Sequence, residues 1–82
     1  MPGSPRSRRE AILFGVGFDA EDGHRRVTRG RDFLLVGGSE DTHGEMQERA
    51  IKFDEELKRR GKRLAEVEST DELRDIADRA GM

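Results

Sequence analysis

The sequence contains no cysteine, tryptophan or tyrosine, only two prolines, and no long hydrophobic run. Without cysteine, neither a disulfide framework nor a thiolate metal site can form, so we expect a reducing, cytoplasmic compartment. The main apolar run, residues 11–18, contains two glycines. It is far shorter than the ~20 apolar residues of a membrane helix. The composition therefore predicts a soluble protein without a membrane contact.

Size and charge indicate one small domain. The chain has 82 residues, of which 32% are hydrophobic and 41% are charged, with a net charge of −2. Residues 1–10 are polar and basic, and we predict that they form a disordered tail before a single domain over residues 11–82. So small a core gains stability from association. We therefore expect a protein partner or a homodimer.

Three strands are predicted in the first half of the chain. Residues 11–18 alternate, so that Ile12, Phe14, Val16 and Phe18 share one apolar face. We expect this face to lie against a helix. The turn at residues 19–24 predicts a tight hairpin that places a second strand, residues 24–28, beside the first. The continuous apolar run 33–36 predicts a third strand that is buried on both faces.

Two helices are predicted in the second half. Ser39 or Asp41 can cap a long helix, which ends before Gly61. Its apolar stripe is spaced by three and four residues, and acid–base pairs four apart, such as 48 with 52 and 54 with 58, lie on its surface. A connector at residues 62–68, whose strand character stays open, leads to a short final helix with a capping box at Ser69 and Glu72. The expected fold is α+β, a small three-stranded, mainly antiparallel sheet packed on one long helix, with a short C-terminal helix.

The start of the long helix is a candidate anion-binding site. Gly37, Gly38 and Ser39 form a glycine-rich turn before a helix, where free N–H groups and the helix dipole favour an anion. His43 lies one turn later, as the acid–base group nearest to this junction. The spacing of a phosphate-binding loop is absent, and the two acids after Ser39 oppose an anion. An ordinary turn and cap, or a weak cation site, are the alternatives.

A cluster of arginines is the candidate contact for nucleic acid or an acidic partner. Arg25 and Arg29 alternate on the predicted second strand and share a face, and Arg31 follows in the next turn. The negative net charge and the lack of Trp and Tyr count against nucleic acid. A solvated sheet surface is the alternative.

No set of residues indicates catalysis. There is no cysteine nucleophile or G-x-S-x-G motif, and two histidines nineteen residues apart do not have metal-ligand spacing. We predict no catalytic residues, no metal and no cofactor. The sequence favours a small non-catalytic binding or regulatory module that acts through a protein partner or self-association. Weak nucleic-acid binding through the arginines, and small-anion or metal binding at the helix start, are the alternatives.

Overall fold

The computed structural model describes residues 10–82. The elements follow in the order β1 (Leu13–Gly17), β2 (Val27–Arg29), β3 (Phe33–Gly37), α1 (Glu40–Arg59), a 3₁₀ turn (Leu64–Glu66) and α2 (Thr70–Arg79). The predicted α+β architecture, with three strands, one long helix and a short C-terminal helix, is confirmed. The predicted tail covers residues 1–10, and residues 1–9 of it lie outside the described part.

The sheet is mixed, with the strand order β1-β3-β2. The central strand β3 pairs in parallel with β1, from Leu13↔Phe33 onward, and antiparallel with β2. The predicted hairpin between the first two strands is therefore wrong. The connection 18–26 is longer than a tight hairpin allows. Within it, Asp22 accepts a hydrogen bond from the amide of His24 and pairs with Arg26, which closes a local turn. The connection then places β2 at the edge of β3 that lies opposite β1.

Helix α1 covers only one face of the sheet. This inner face carries Leu13 and Gly15 of β1 and Leu35 of β3. A Cβ added to Gly15 would lie 3.2 Å from the Met46 sulfur, so the glycine is what allows α1 to approach the sheet. Helix α1 thus packs closely on the glycine side of β1.

The prediction for the opposite side of β1 is wrong. Ile12, Phe14, Val16 and Phe18 do not face α1 but are exposed. The helix packs on the glycine side because larger side chains there would keep the two backbones apart. For the same reason β3 is not buried on both faces, and its Leu34 is only half-buried.

The core consists of two clusters that share Leu13 as a neighbour. One cluster lies between the helices and contains Phe53, Leu57, Ile76 and Ala80, and the other joins β3 to α1 through Phe33, Leu35 and Ala50. Leu64 and Val67 pack against the first cluster. The connector therefore reaches the core, and it contains a 3₁₀ turn where strand character was left open.

The helix ends form largely as the sequence indicates. Ser39 accepts a hydrogen bond from the amide of Thr42 at 3.2 Å, and Gly61 follows α1 with φ +66°. Ser69 accepts from the amide of Glu72, whose side chain binds Lys62 instead of completing a capping box. These caps fix the ends of both helices.

Some of the surface pairs predicted on α1 do not form within residues 10–82. The pair Glu48–Lys52 is present, with 3.5 Å between nitrogen and oxygen. Asp54, which was predicted to pair with Lys58 at the surface, is instead buried beneath the start of β3. The four-residue spacing identifies helix neighbours but does not tell which helix face the core covers.

Candidate interaction face

The side of the sheet that α1 leaves uncovered carries a continuous set of apolar side chains, which we call the outer face. Its exposed members are Ile12 (44% exposed), Phe14 (57%), Val16 (39%), Phe18 (91%) and Val27 (62%). Leu34 and Val36 of β3 lie between them and are half-buried. Among residues 10–82, seven hydrophobic residues form the buried core. The outer face is thus comparable in number of large apolar side chains to the core itself.

The strand register arranges the outer face in rows. Val16, Val36 and Val27 are directly paired neighbours across the three strands, and Phe14 is paired with Leu34. Side chains of directly paired residues project from the same side of a sheet. The rows therefore form an unbroken apolar surface from one edge of the sheet to the other.

Two of the three candidate arginines border this face. Arg29 is paired with Leu34 and ends the Phe14 row at the β2 edge. Arg25 lies two residues before Val27, and the bond from the Gly37 amide to the Arg26 carbonyl extends the pairing in that direction. Alternation therefore places Arg25 on the side of Val27. The outer face is apolar across its middle and basic along one edge.

Arg31 is separated from the other two by its own hydrogen bonds. Its guanidinium donates to the carbonyl of Lys62 at 3.1 Å and lies 3.5 Å from the carboxylate of Asp32. It helps to hold the segment after α1 against the sheet. The structure therefore brings Arg25 and Arg29 to one face and assigns Arg31 a structural contact.

A cleft of about 1330 Å³ opens where the β2–β3 turn meets the segment after α1. Most of its basic side chains bind acidic groups of the same chain, whereas Arg29, which also lines the cleft, has no ion pair within residues 10–82. Arg60 binds Glu56, Lys62 binds Glu72 at 2.8 Å, and Arg63 binds Asp32. Charges that are already paired attract an outside anion weakly, so the cleft is a less convincing site than the outer face.

Two buried carboxyl groups, Asp32 and Asp54, lie near each other, and Asp32 lines the cleft. Burial raises the pKa of Asp32, but hydrogen bonds from Arg63 and the Leu64 amide, together with the charge of Arg31, outweigh burial and hold it below its ordinary value. Burial raises the pKa of Asp54, and the charge of Asp32 raises it further. One oxygen of Asp54 has no hydrogen-bond partner within residues 10–82. The two carboxyls thus differ in their environments, and Asp54 is the one that favours a proton.

The candidate anion site at the start of α1 is occupied by the chain's own carboxylate. Asp19 accepts hydrogen bonds from the Ser39 amide at 2.7 Å and from the Thr42 hydroxyl at 2.6 Å. These bonds, the one from Thr42 foremost, lower the pKa of Asp19. Gly37 and Gly38 both have positive φ, of +78° and +85°. An outside anion would have to displace Asp19 from the turn that they form.

The ring of His43 is buried against the sheet and contacts that turn only through the carbonyl of Gly37. Its Nδ1 lies 2.8 Å from the Gly37 carbonyl oxygen, so this nitrogen carries the proton. Its Nε2 lies 2.8 Å from the hydroxyl of Thr28, which also accepts a hydrogen bond from Gln47 at 2.7 Å. The ring joins α1 to β2 and β3, and both of its nitrogens have partners. Ser39 and His43 therefore do not converge on a common ligand position.

Comparison with protein-family models, with curated proteins and with solved structures finds no match to this chain. Function has to be argued from the structure itself. Within residues 10–82, no three groups of the metal-ligating types come together, and no helix is long and apolar enough to cross a membrane. These findings leave the outer face as the best candidate site.

The alternation over residues 11–18 correctly grouped the β1 side chains of the outer face, but we predicted that this group would be buried in the core. The available signal for the correct side was the pair of glycines, because Gly15 and Gly17 both lie on the opposite face. The role of Asp19 was missed altogether. Its contacts with Ser39 and Thr42 span 20 and 23 residues, and local turn rules do not report contacts of that range.

Proposed function

We propose that this chain is a small non-catalytic binding module that acts by associating with a protein through its outer face. The observation that carries the proposal is the exposure of five large apolar side chains on one side of a three-stranded sheet. Together they expose about 500 Å², toward the upper end of the ~300–600 Å² of the largest apolar patch on a typical monomer. An apolar patch of this size is often a functional site, and contact with another protein would remove it from water.

The other candidate sites support this choice by contrast. Most of the basic groups of the cleft, and the N–H groups at the start of α1, are already bound to Glu56, Glu72, Asp32 and Asp19. The buried ring of His43 has a partner at each nitrogen. The outer face is the region where removal from water yields free energy that the folded chain has not already gained.

Site-specific photo-crosslinking in cells that produce the chain tests the proposal. A benzophenone amino acid replaces Phe14 on the outer face and, as the matched control, Ile51, which is 48% exposed on α1. We expect a crosslinked protein product from position 14 and none from position 51. Peptide mass spectrometry then identifies the crosslinked chain. Equal yields at the two positions, or no product at position 14, would contradict the proposal.

A second candidate, weak nucleic-acid binding, is favoured by the exposure of Arg25 and Arg29 on one face. Because Arg31 is bound to Lys62, two phosphate contacts are expected, and log K should fall with log salt concentration with a slope of about −2. Fluorescence anisotropy with single-stranded and duplex oligonucleotides measures this slope. An Arg25→Ala, Arg29→Ala double variant with unchanged affinity would remove the candidate.

A further inference from the structure

This inference rests on the proposed function and names the partner. We propose that the outer face binds the outer face of a second copy of this chain, so that two sheets pack face to face about a two-fold axis parallel to the strands. Sheets that pack in this way keep their strand directions within about 30° of each other. The pattern of apolar side chains, the position of one arginine and the area of the face all support this arrangement.

The first argument is the distribution of apolar side chains across the sheet. The bulky rings Phe14 and Phe18 lie on and beyond β1, whereas the smaller Val27 lies on β2 at the opposite edge. A two-fold axis along β3 places β1 of one copy over β2 of the other, because rotation exchanges the two edges. Val16 and Val27 both pair with Val36, so each Val27 then lies over the equally small Val16 of the other copy, and apolar side chains meet at both edges.

The second argument is the level of Arg29 along the strands. Phe14 and Arg29 both pair with Leu34, so they lie at the same level on opposite edges of the sheet. The proposed axis therefore brings the guanidinium of Arg29 in one copy over the ring of Phe14 in the other. A cation above an aromatic face is an attractive contact. Within residues 10–82, no ion pair engages Arg29, so its guanidinium is available.

The third argument is area. Stable interfaces bury about 800 Å² on each partner, and those of homodimers are more apolar than other protein surfaces. The exposed apolar side chains supply about 500 Å² of this on each copy, and the half-buried residues of β3 with Arg25 and Arg29 supply a rim. The described part of the chain buries seven hydrophobic residues in its core, so burial of this face is a large gain for the chain.

Analytical ultracentrifugation of the full chain, from about 1 μM to 1 mM, tests the inference. We expect a species of twice the 9.3 kDa chain mass that dissociates on dilution. Val27→Glu should shift the dissociation constant upward by at least about tenfold, because it buries a charge in the interface. The control Ile51→Glu, at an exposed position on α1, should dimerise like the wild type. Circular dichroism checks that both variants fold.

A cysteine variant gives a second measurement that leaves the fold intact. Val36 lies on the central strand, close to the proposed axis, and the chain has no native cysteine. Facing sheets lie about 10 Å apart, which is too far for a direct disulfide, so a short bis-maleimide is used to join the two cysteines. It should crosslink Val36→Cys into a dimer much faster than it crosslinks Leu73→Cys, at an exposed position on α2. A monomer throughout the concentration range, or equal crosslinking of the two variants, would overturn the inference. If position 14 nevertheless crosslinks to a different protein, the proposed function stands and only the second copy is wrong.

Discussion

Alanine at Gly17 should destabilise the protein much more than an ordinary glycine replacement. Gly17 ends β1 where the strand passes the turn into α1. A Cβ built on Gly17 would lie 2.6 Å from the Gly38 Cα, 2.9 Å from the Gly38 amide nitrogen and 3.2 Å from the Thr42 methyl. Two of these atoms belong to the backbone, so a rotamer change cannot relieve the contact.

The expected loss can be estimated from these distances. Carbon atoms pack at about 3.5–4.0 Å, so the backbones must separate by about 1 Å. Overpacking of this kind costs about 1–3 kcal/mol. We expect about 2–3 kcal/mol for Gly17→Ala, because movement of Gly38 also disturbs the hydrogen bond between the adjacent Ser39 amide and Asp19. A loss of that size is a substantial part of the ~5–15 kcal/mol stability of a small domain.

Gly44→Ala is the matched control, because it makes the same chemical change with the opposite expected sign. Gly44 lies within α1, and a Cβ added to it would meet nothing within 4 Å beyond its own helix backbone and chain neighbours. Alanine there should stabilise the helix by about 0.5–1 kcal/mol. Urea unfolding followed by circular dichroism measures both variants. If Gly17→Ala unfolds within about 0.5 kcal/mol of the wild type, the close approach of β1 to Gly38 is wrong.

Three further variants address the buried polar groups. For Asp54→Asn, the stability relative to wild type should increase as pH rises through the raised pKa of Asp54 and stay constant above it, because only the wild type then buries a charge. Urea unfolding at pH 3 to 8 checks this prediction. A difference in stability that does not depend on pH would refute it. Asp32→Ala should cost about 2 kcal/mol at pH 7. Because the pKa of Asp32 is lowered, this loss of stability should become smaller as pH falls below the ordinary value of 3.8. Urea unfolding over the same pH range measures the trend, and an unchanged loss at low pH would contradict it. Thr28→Val keeps the side-chain shape but leaves His43 and Gln47 without their shared hydrogen-bond partner. We expect a loss of about 1–2 kcal/mol of stability, measured by thermal or urea unfolding. An unchanged stability would show that the contact contributes nothing.

The elements of the fold could be predicted because their signals are local. Ser39, Gly61 and Ser69 act at the helix ends through bonds within one turn, and alternation over residues 11–18 is typical of a strand. Strand pairing could not be predicted in the same way. The turn at Asp22 and Gly23 has the expected positive φ, of +73° at Gly23, but a favourable turn does not determine which strand the chain joins afterwards.

The sequence predicted which β1 residues share the candidate face, but not which side of the sheet that face occupies. The even-numbered residues of 11–18 were expected to be core because they are the more hydrophobic set. Packing followed the approach of the backbones instead, and Gly15 and Gly17 decided which side α1 covers. Arg29 was predicted as a surface contact, and its place beside Phe14 depends on register with β3, which a single sequence does not reveal.

The parallel pairing of β1 with β3 has a consequence for the order of folding. Strands β2 and β3 are joined by a short turn, whereas the pairing of Leu13 with Phe33 closes a loop of 20 residues. Loop closure costs entropy before the strand contacts compensate for it, so we expect β1 to join last and to exchange its amide hydrogens first. If β3 amides exchange before those of β1, this order is wrong. Because β1 supplies Phe14 and Val16, a chain with β1 detached has no complete outer face. Only the fully folded chain would then associate, so binding would occur only after folding is complete.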